Sequence, residues 1–100
     1  MVKAIIYNSS TGHTSRYAKM LSKKLDIPCY SIKKANKKLN SNAEIIYLSW
    51  VCANTITKIN KIRNKYNVKC YGAVGLYPKS EENTNNLIKT NNIDKPLFYL

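Results

Sequence analysis

Acidic side chains are scarce in this chain of 100 residues: 5 Asp and Glu stand against 17 Lys and Arg, a formal net charge of +12. No paired carboxylates, Ser/His/Asp or Cys/His arrangement, or metal-ligand cluster stands out as a catalytic centre. Cysteine is also sparse. Cys29, Cys52 and Cys70 are odd in number and have neither CxxC nor Cys/His spacing, which argues against a disulfide framework or a zinc site and for free thiols in a reducing compartment. No apolar run approaches the length of a membrane span. No basic-then-apolar leader precedes the first apolar segment, so a cytoplasmic protein is expected. Helix-turn-helix, zinc-finger and RNP-type aromatic motifs are missing too.

What is present suits a small globule. A 44% hydrophobic content supports one core, and the length allows a single domain, residues 1–100, at the small end for an α/β fold. The charge is unevenly spread. Residues 1–70 hold 14 Lys and Arg against only Asp26 and Glu44, whereas Lys79, Lys89 and Lys95 balance Glu81, Glu82 and Asp94 in the remainder. Two readings stay open: codon bias in an AT-rich genome, which favours Lys, Asn, Ile and Tyr, or a basic face that meets an acidic partner.

Strands and helices alternate along the chain. Residues 2–8 read as a buried strand whose apolar residues Ala4, Ile5, Ile6 and Tyr7 run on without alternation, as in the centre of a parallel sheet. A helix follows from His13 or Thr14, with Thr14, Tyr17, Ala18, Leu21 and Leu25 on one face. Pro28 blocks further helix and opens a short strand over residues 28–32. Residues 33–42, rich in lysine, read as a short helix or a loop. A second central strand spans residues 43–50. Asn54 or Thr55 then caps a helix to about Asn67, with Ile56, Ile59, Ile62 and Tyr66 facing inward. Strand returns over residues 69–76. Ser80 caps a helix carrying Glu81 and Glu82 in its first turn and ending at Asn91 and Asn92. Residues 96–100 make the last strand. This order predicts a doubly wound, parallel α/β sheet.

The most informative segment is Ser9-Ser10-Thr11-Gly12-His13-Thr14, between the first strand and the first helix. Helix N-termini leave backbone N–H groups unpaired and carry partial positive charge, so phosphate is stabilised there. Gly12 permits close approach of the main chain, and the hydroxyls add donors that rotate to fit.

Ser9, Thr11, Gly12 and Thr14 match the [Ser/Thr]-x-Thr-Gly-x-Thr phosphate loop of flavodoxins, and the chain resembles that family. The similarity is closest to flavodoxin-domain proteins related to menaquinone-dependent protoporphyrinogen oxidases. It extends through residues 44–63, Ala73-Val74-Gly75-Leu76-Tyr77-Pro78-Lys79-Ser80-Glu81-Glu82, and Asp94-Lys95-Pro96-Leu97-Phe98-Tyr99-Leu100. The resemblance implies a five-stranded parallel sheet in the order 2-1-3-4-5 and an FMN cofactor held by three loops. These are Ser9, Ser10, Thr11, Gly12, His13 and Thr14; then Ser49, Trp50, Val51, Cys52, Ala53 and Asn54; then Gly75 to Lys79 with Tyr77. Trp50 could stack on the flavin or cap the sheet end as core. Tyr77 could cover the other face or edge, but it is one of eight tyrosines. His13 is expected to face solvent or help with phosphate charge, and Cys52 to be a small buried thiol.

The second loop lacks the glycines common in those relatives. Flavodoxins also continue into a final helix beside the first, and this sequence ends at Leu100. The expectation is therefore a partner over that sheet face, most simply a second copy of the chain. The resemblance implies a small FMN electron carrier whose basic shell raises the flavin's reduction potential and favours an acidic redox partner protein. The alternative is a cofactor-free interaction module. Residues 33–38 and Lys58, Lys61, Arg63 and Lys65 would meet an acidic protein or, less favoured, nucleic acid.

Overall fold

The structure, a computed structural model, describes residues 2–9, 12–52, 55–74 and 81–99. Strand β1 (Ala4–Asn8) leads to helix α1 (His13–Leu25), then β2 (Cys29–Ser31) and α2 (Ile32–Lys38). Strands β3 (Glu44–Cys52) and β4 (Thr55–Ile56) follow, then α3 (Ile59–Arg63), β5 (Asn67–Val74), α4 (Glu81–Asn91) and β6 (Leu97–Tyr99).

The sheet has six strands, with the main path β2-β1-β3-β5-β6 and β4 paired to β3 off that path. Every pairing on the path is parallel, and β3–β4 is antiparallel. Strand count and order thus differ from the expected five in the order 2-1-3-4-5. The added strand arises because the chain folds back after β3, matching Val51 to Ile56 and Cys52 to Thr55.

Two apolar layers sandwich the sheet. On one face Ile5, Ile46 and Leu48 pack with Ala18 of α1. On the other, Ile6, Ile45, Tyr47 and Tyr71 pack with Ala35 of α2, Ile59 and Ile62 of α3, and Leu87 of α4. Burial from both sides explains the unbroken apolar runs of β1 and β3. Ala4, Ile5, Ile6 and Ile45 are all fully buried.

The lysine-rich stretch left open between helix and loop is helix α2. Ser31 caps it by accepting from the Lys34 amide at 3.3 Å, and Ile32, Ala35 and Leu39 anchor it at helical spacing. The helix expected from residue 54 or 55 to about 67 is a correction. Only Ile59–Arg63 is helical, after β4 and a turn in which Lys58 adopts φ 60°. Asn91 of α4 fastens the segment instead: its Oδ1 accepts the Ile56 amide at 3.1 Å, a first-turn amide that a helix starting at residue 54 or 55 would have left unpaired. Ile56, Ile59, Ile62 and Tyr66 are buried as expected.

Helix α1 is also narrower in its contact than its pattern predicts. Thr14 and Ala18 are buried, but Tyr17 is 39% and Leu25 48% exposed. Among the described residues α1 is the only helix packed on its face of the sheet, so its flanks meet solvent.

Candidate functional site

In an open α/β sheet ligands bind at the carboxyl ends of strands where the winding reverses. Here the chain passes from β1 to β2 on one side and returns past β1 to β3 on the other. The mouth between the ends of β1 and β3 is therefore the candidate site. Asn8 and Ser49 are register partners at that mouth.

The residues 9–14 loop leaves β1 at this point. The Ser9 hydroxyl accepts from the Gly12 amide at 3.0 Å and ties the loop across its base. Gly12 is the N-cap of α1 with φ 91° and ψ −11°. That backbone disfavours any side chain, and a Cβ placed there would meet nothing within 4 Å. The backbone is therefore left-handed at Gly12, and among the described residues nothing crowds the place of its missing Cβ. The Arg16 amide bonds the Gly12 carbonyl at 3.1 Å, so the amides of His13, Thr14 and Ser15 lie ahead of the helical ladder and point out of the helix start. His13 is exposed and Thr14 is buried. No acidic residue sits in the first turn of α1. An open groove of about 550 Å3 beside it is lined by Gly12, Ser15, Arg16, Lys19, Met20 and Lys23. The local field thus favours an anion. Ser10 and Thr11 lie outside the described residues.

Beneath the mouth lies a polar network that the sequence did not signal. Asn8 Nδ2 donates to Thr57 Oγ1 at 2.9 Å and to Ser49 Oγ at 3.4 Å. Ser49 Oγ and Thr57 Oγ1 are 2.5 Å apart. Thr57 Oγ1 donates to the Trp50 carbonyl at 3.0 Å, and the Thr57 amide reaches the same carbonyl at 3.2 Å. Tyr47 donates its hydroxyl to the Thr57 carbonyl at 2.7 Å. Burial pushes the Tyr47 phenol up to about 12, against smaller opposing effects of Ser49 and Asn8. It therefore stays a protonated donor at neutral pH. Amide, hydroxyls and phenol are all uncharged here, so the network fixes geometry and offers no general base.

Ser49, expected to line the site, is fully buried and locked into this network; it braces the β3 end from beneath. Trp50 is half-buried at that end, with its carbonyl held by Thr57. Val51 packs against the larger apolar cluster and pairs with Ile56. The Cys52 backbone pairs with Thr55; its side chain, Ala53, Asn54, Gly75 and Tyr77 lie outside the described residues. Asn8 carried one usable signal, a polar residue closing an apolar strand. Thr57 carried none, because its segment read as helix.

Among the described residues no His, Cys, Asp and Glu group could hold a metal ion. Cys29 and Cys70 are free, half-buried thiols, and burial pushes the Cys70 thiol up. No helix of the described residues is long and apolar enough to cross a membrane. The sequence matches no protein-family model, and comparison with curated proteins and with solved structures gives no match.

Proposed function

We propose that the protein is a flavodoxin-like electron carrier that holds FMN at the carboxyl ends of β1 and β3. The observation that carries this reading is Gly12: a left-handed backbone at the start of α1, sited where the winding of the sheet reverses. The parallel path β2-β1-β3-β5-β6 with helices on both faces is compatible with a flavodoxin-like layout. The amides of His13, Thr14 and Ser15 are suited to a phosphate, with Arg16 nearby to neutralise it. The half-buried Trp50 ring at the β3 end offers a flat platform for a planar ligand. The Asn8–Ser49–Thr57 network holds that end in place relative to the phosphate loop.

Bound flavin would supply the redox chemistry, while the residues of this chain position it and set its surroundings. The excess of cations stabilises added negative charge and so favours the reduced flavin. Partner proteins with acidic faces fit the same field.

Trp50 is the chain's one tryptophan, so its emission reports on the site directly. Titration with FMN should quench Trp50 and flavin fluorescence together and leave the protein yellow after gel filtration. Colourless protein with unchanged Trp50 emission contradicts the reading.

A further inference from the structure

The outer surface of α2 and α3 lies on the far side of the sheet from α1 and has no part in the flavin reading. The fold brings these two helices together. Asn36 of α2 accepts from Lys65 Nζ at 2.8 Å and from the Tyr66 hydroxyl at 3.0 Å, and Ala35, Ile59 and Ile62 share one apolar layer beneath. Two lysine clusters separated in sequence thereby join into one surface. Lys33, Lys34, Lys37 and Lys38 of α2 are exposed, as are Lys58 and Lys61 at α3. Arg63 is turned away, donating to the Asn91 and Asn92 carbonyls and to Asn60.

Neither α2 nor α3 carries a carboxylate. Within residues 27–66 the one acid is Glu44, which pairs with Lys69 at 3.7 Å on a different element. Nor does any exposed aromatic or large apolar side chain stand among the lysines. Among the described residues the exposed large hydrophobics are Tyr17, Met20, Leu25 and Phe98, none of them on α2 or α3. Protein interfaces draw their energy from buried aromatic, Met and Arg anchors and are depleted in lysine. Single-stranded nucleic acid needs aromatic stacking platforms. A field of point charges with neither anchor nor platform suits closely spaced phosphates on a regular backbone.

We propose that the outer face of α2 and α3 binds the phosphate backbone of duplex nucleic acid without reading its sequence. If all six exposed lysines engage phosphates, affinity should fall about 2,000-fold between 50 and 200 mM salt, from the slope of about −0.9 per contact.

The test is fluorescence anisotropy with a labelled 20-base-pair DNA duplex of mixed sequence. The wild-type chain is compared with two triple variants of equal net charge, K34Q/K37Q/K61Q on the proposed face and K3Q/K24Q/K95Q away from both it and the α1 groove. All six positions are exposed, so circular dichroism melts should match wild type. The α2–α3 triple should bind at least about tenfold more weakly at 50 mM salt, and its fall over the same salt range should shrink to about 40-fold. The control triple should stay within about threefold of wild type. Equal losses in both triples would mean that net charge alone is at work and would overturn the proposal. So would the absence of duplex binding at 50 mM salt. Displacement of the duplex by polyglutamate as readily as by unlabelled duplex would reassign the face to an acidic protein. Preference for a single strand of the same sequence would remove the duplex assignment.

Discussion

Asn91 is the residue through which α4 holds the edge of the candidate site, and replacing it with leucine should unfasten that edge. The side chain is buried and spans two elements: its Oδ1 accepts the Ile56 amide at 3.1 Å, and its Nδ2 donates to the Leu87 carbonyl at 2.8 Å. Ile56 is itself fully buried, so leucine would leave its amide facing apolar surroundings. An orphaned buried donor costs about 1–3 kcal/mol and the lost second bond about another 1 kcal/mol. The similar volume of leucine keeps the cavity contribution small. The sum is about 2–4 kcal/mol, or a melting temperature about 10–20 °C lower for a domain of this size. Urea unfolding followed by Trp50 emission measures it, because Trp50 sits two residues before Cys52, the partner of Thr55 in β4. Asn91→Asp keeps an acceptor for Ile56 but brings a buried charge, so it too should destabilise. A loss below about 0.5 kcal/mol for Asn91→Leu would refute the claim that this bond fastens β4 to α4.

Tyr47→Phe removes the donor to the Thr57 carbonyl, which Ser49 still reaches at 3.1 Å. The acceptor is not orphaned, and chemical denaturation should show a loss of only about 0.5–1.5 kcal/mol. The folded Tyr47 phenol, raised to about 12 from its ordinary value of 10.0, stabilises the fold below pH 10. That contribution fades as pH rises through 12. Unfolding curves between pH 9 and 12 should therefore fall less steeply for Tyr47→Phe than for wild type, and parallel curves would count against the burial of this phenol. Gly12→Ala meets no atom but forces a side chain into φ 91°; a thermal melt should report a cost of about 1 kcal/mol, and an unchanged melt would argue against the left-handed turn. On the α1 side of the sheet, Tyr17, Met20, Leu25 and Phe98 are exposed, and we expect a second copy of the chain over that face. Sedimentation at micromolar concentration should show a dimer, and a clean monomer would refute it.

The parts of the fold visible in the sequence were those whose information is local. Ala4, Ile5 and Ile6, and again Ile45 to Leu48, announce strands covered on both faces, and the residues 9–14 loop marks a strand-to-helix junction. The first-turn acids Glu81 and Glu82 and the closing Asn91 likewise delimit α4. The misread parts depend on distant partners. Ile56 and Ile59 look helical by spacing, yet Asn91, thirty-five residues away, captures the Ile56 amide. In β5 the pairing shifts between Ile45 and Ile46, so that Val68 and then Cys70 oppose them. Lys69 is passed over, an irregularity that no alternation of residues foretells. Ser49 shows the same limit at the candidate site: a hydroxyl at the end of a central strand looks available until Thr57, placed by β4, turns out to hold it.

The proposed phosphate cradle at Gly12 is best probed with two ligands that differ only in that phosphate. FMN and riboflavin, each titrated against Trp50 emission in low salt, present the same ring to the protein. Two charge-assisted hydrogen bonds from the α1 amides contribute about 3 kcal/mol or more together, so FMN should bind at least about 100-fold tighter than riboflavin. Equal affinities, or no uptake of either flavin, would contradict the account.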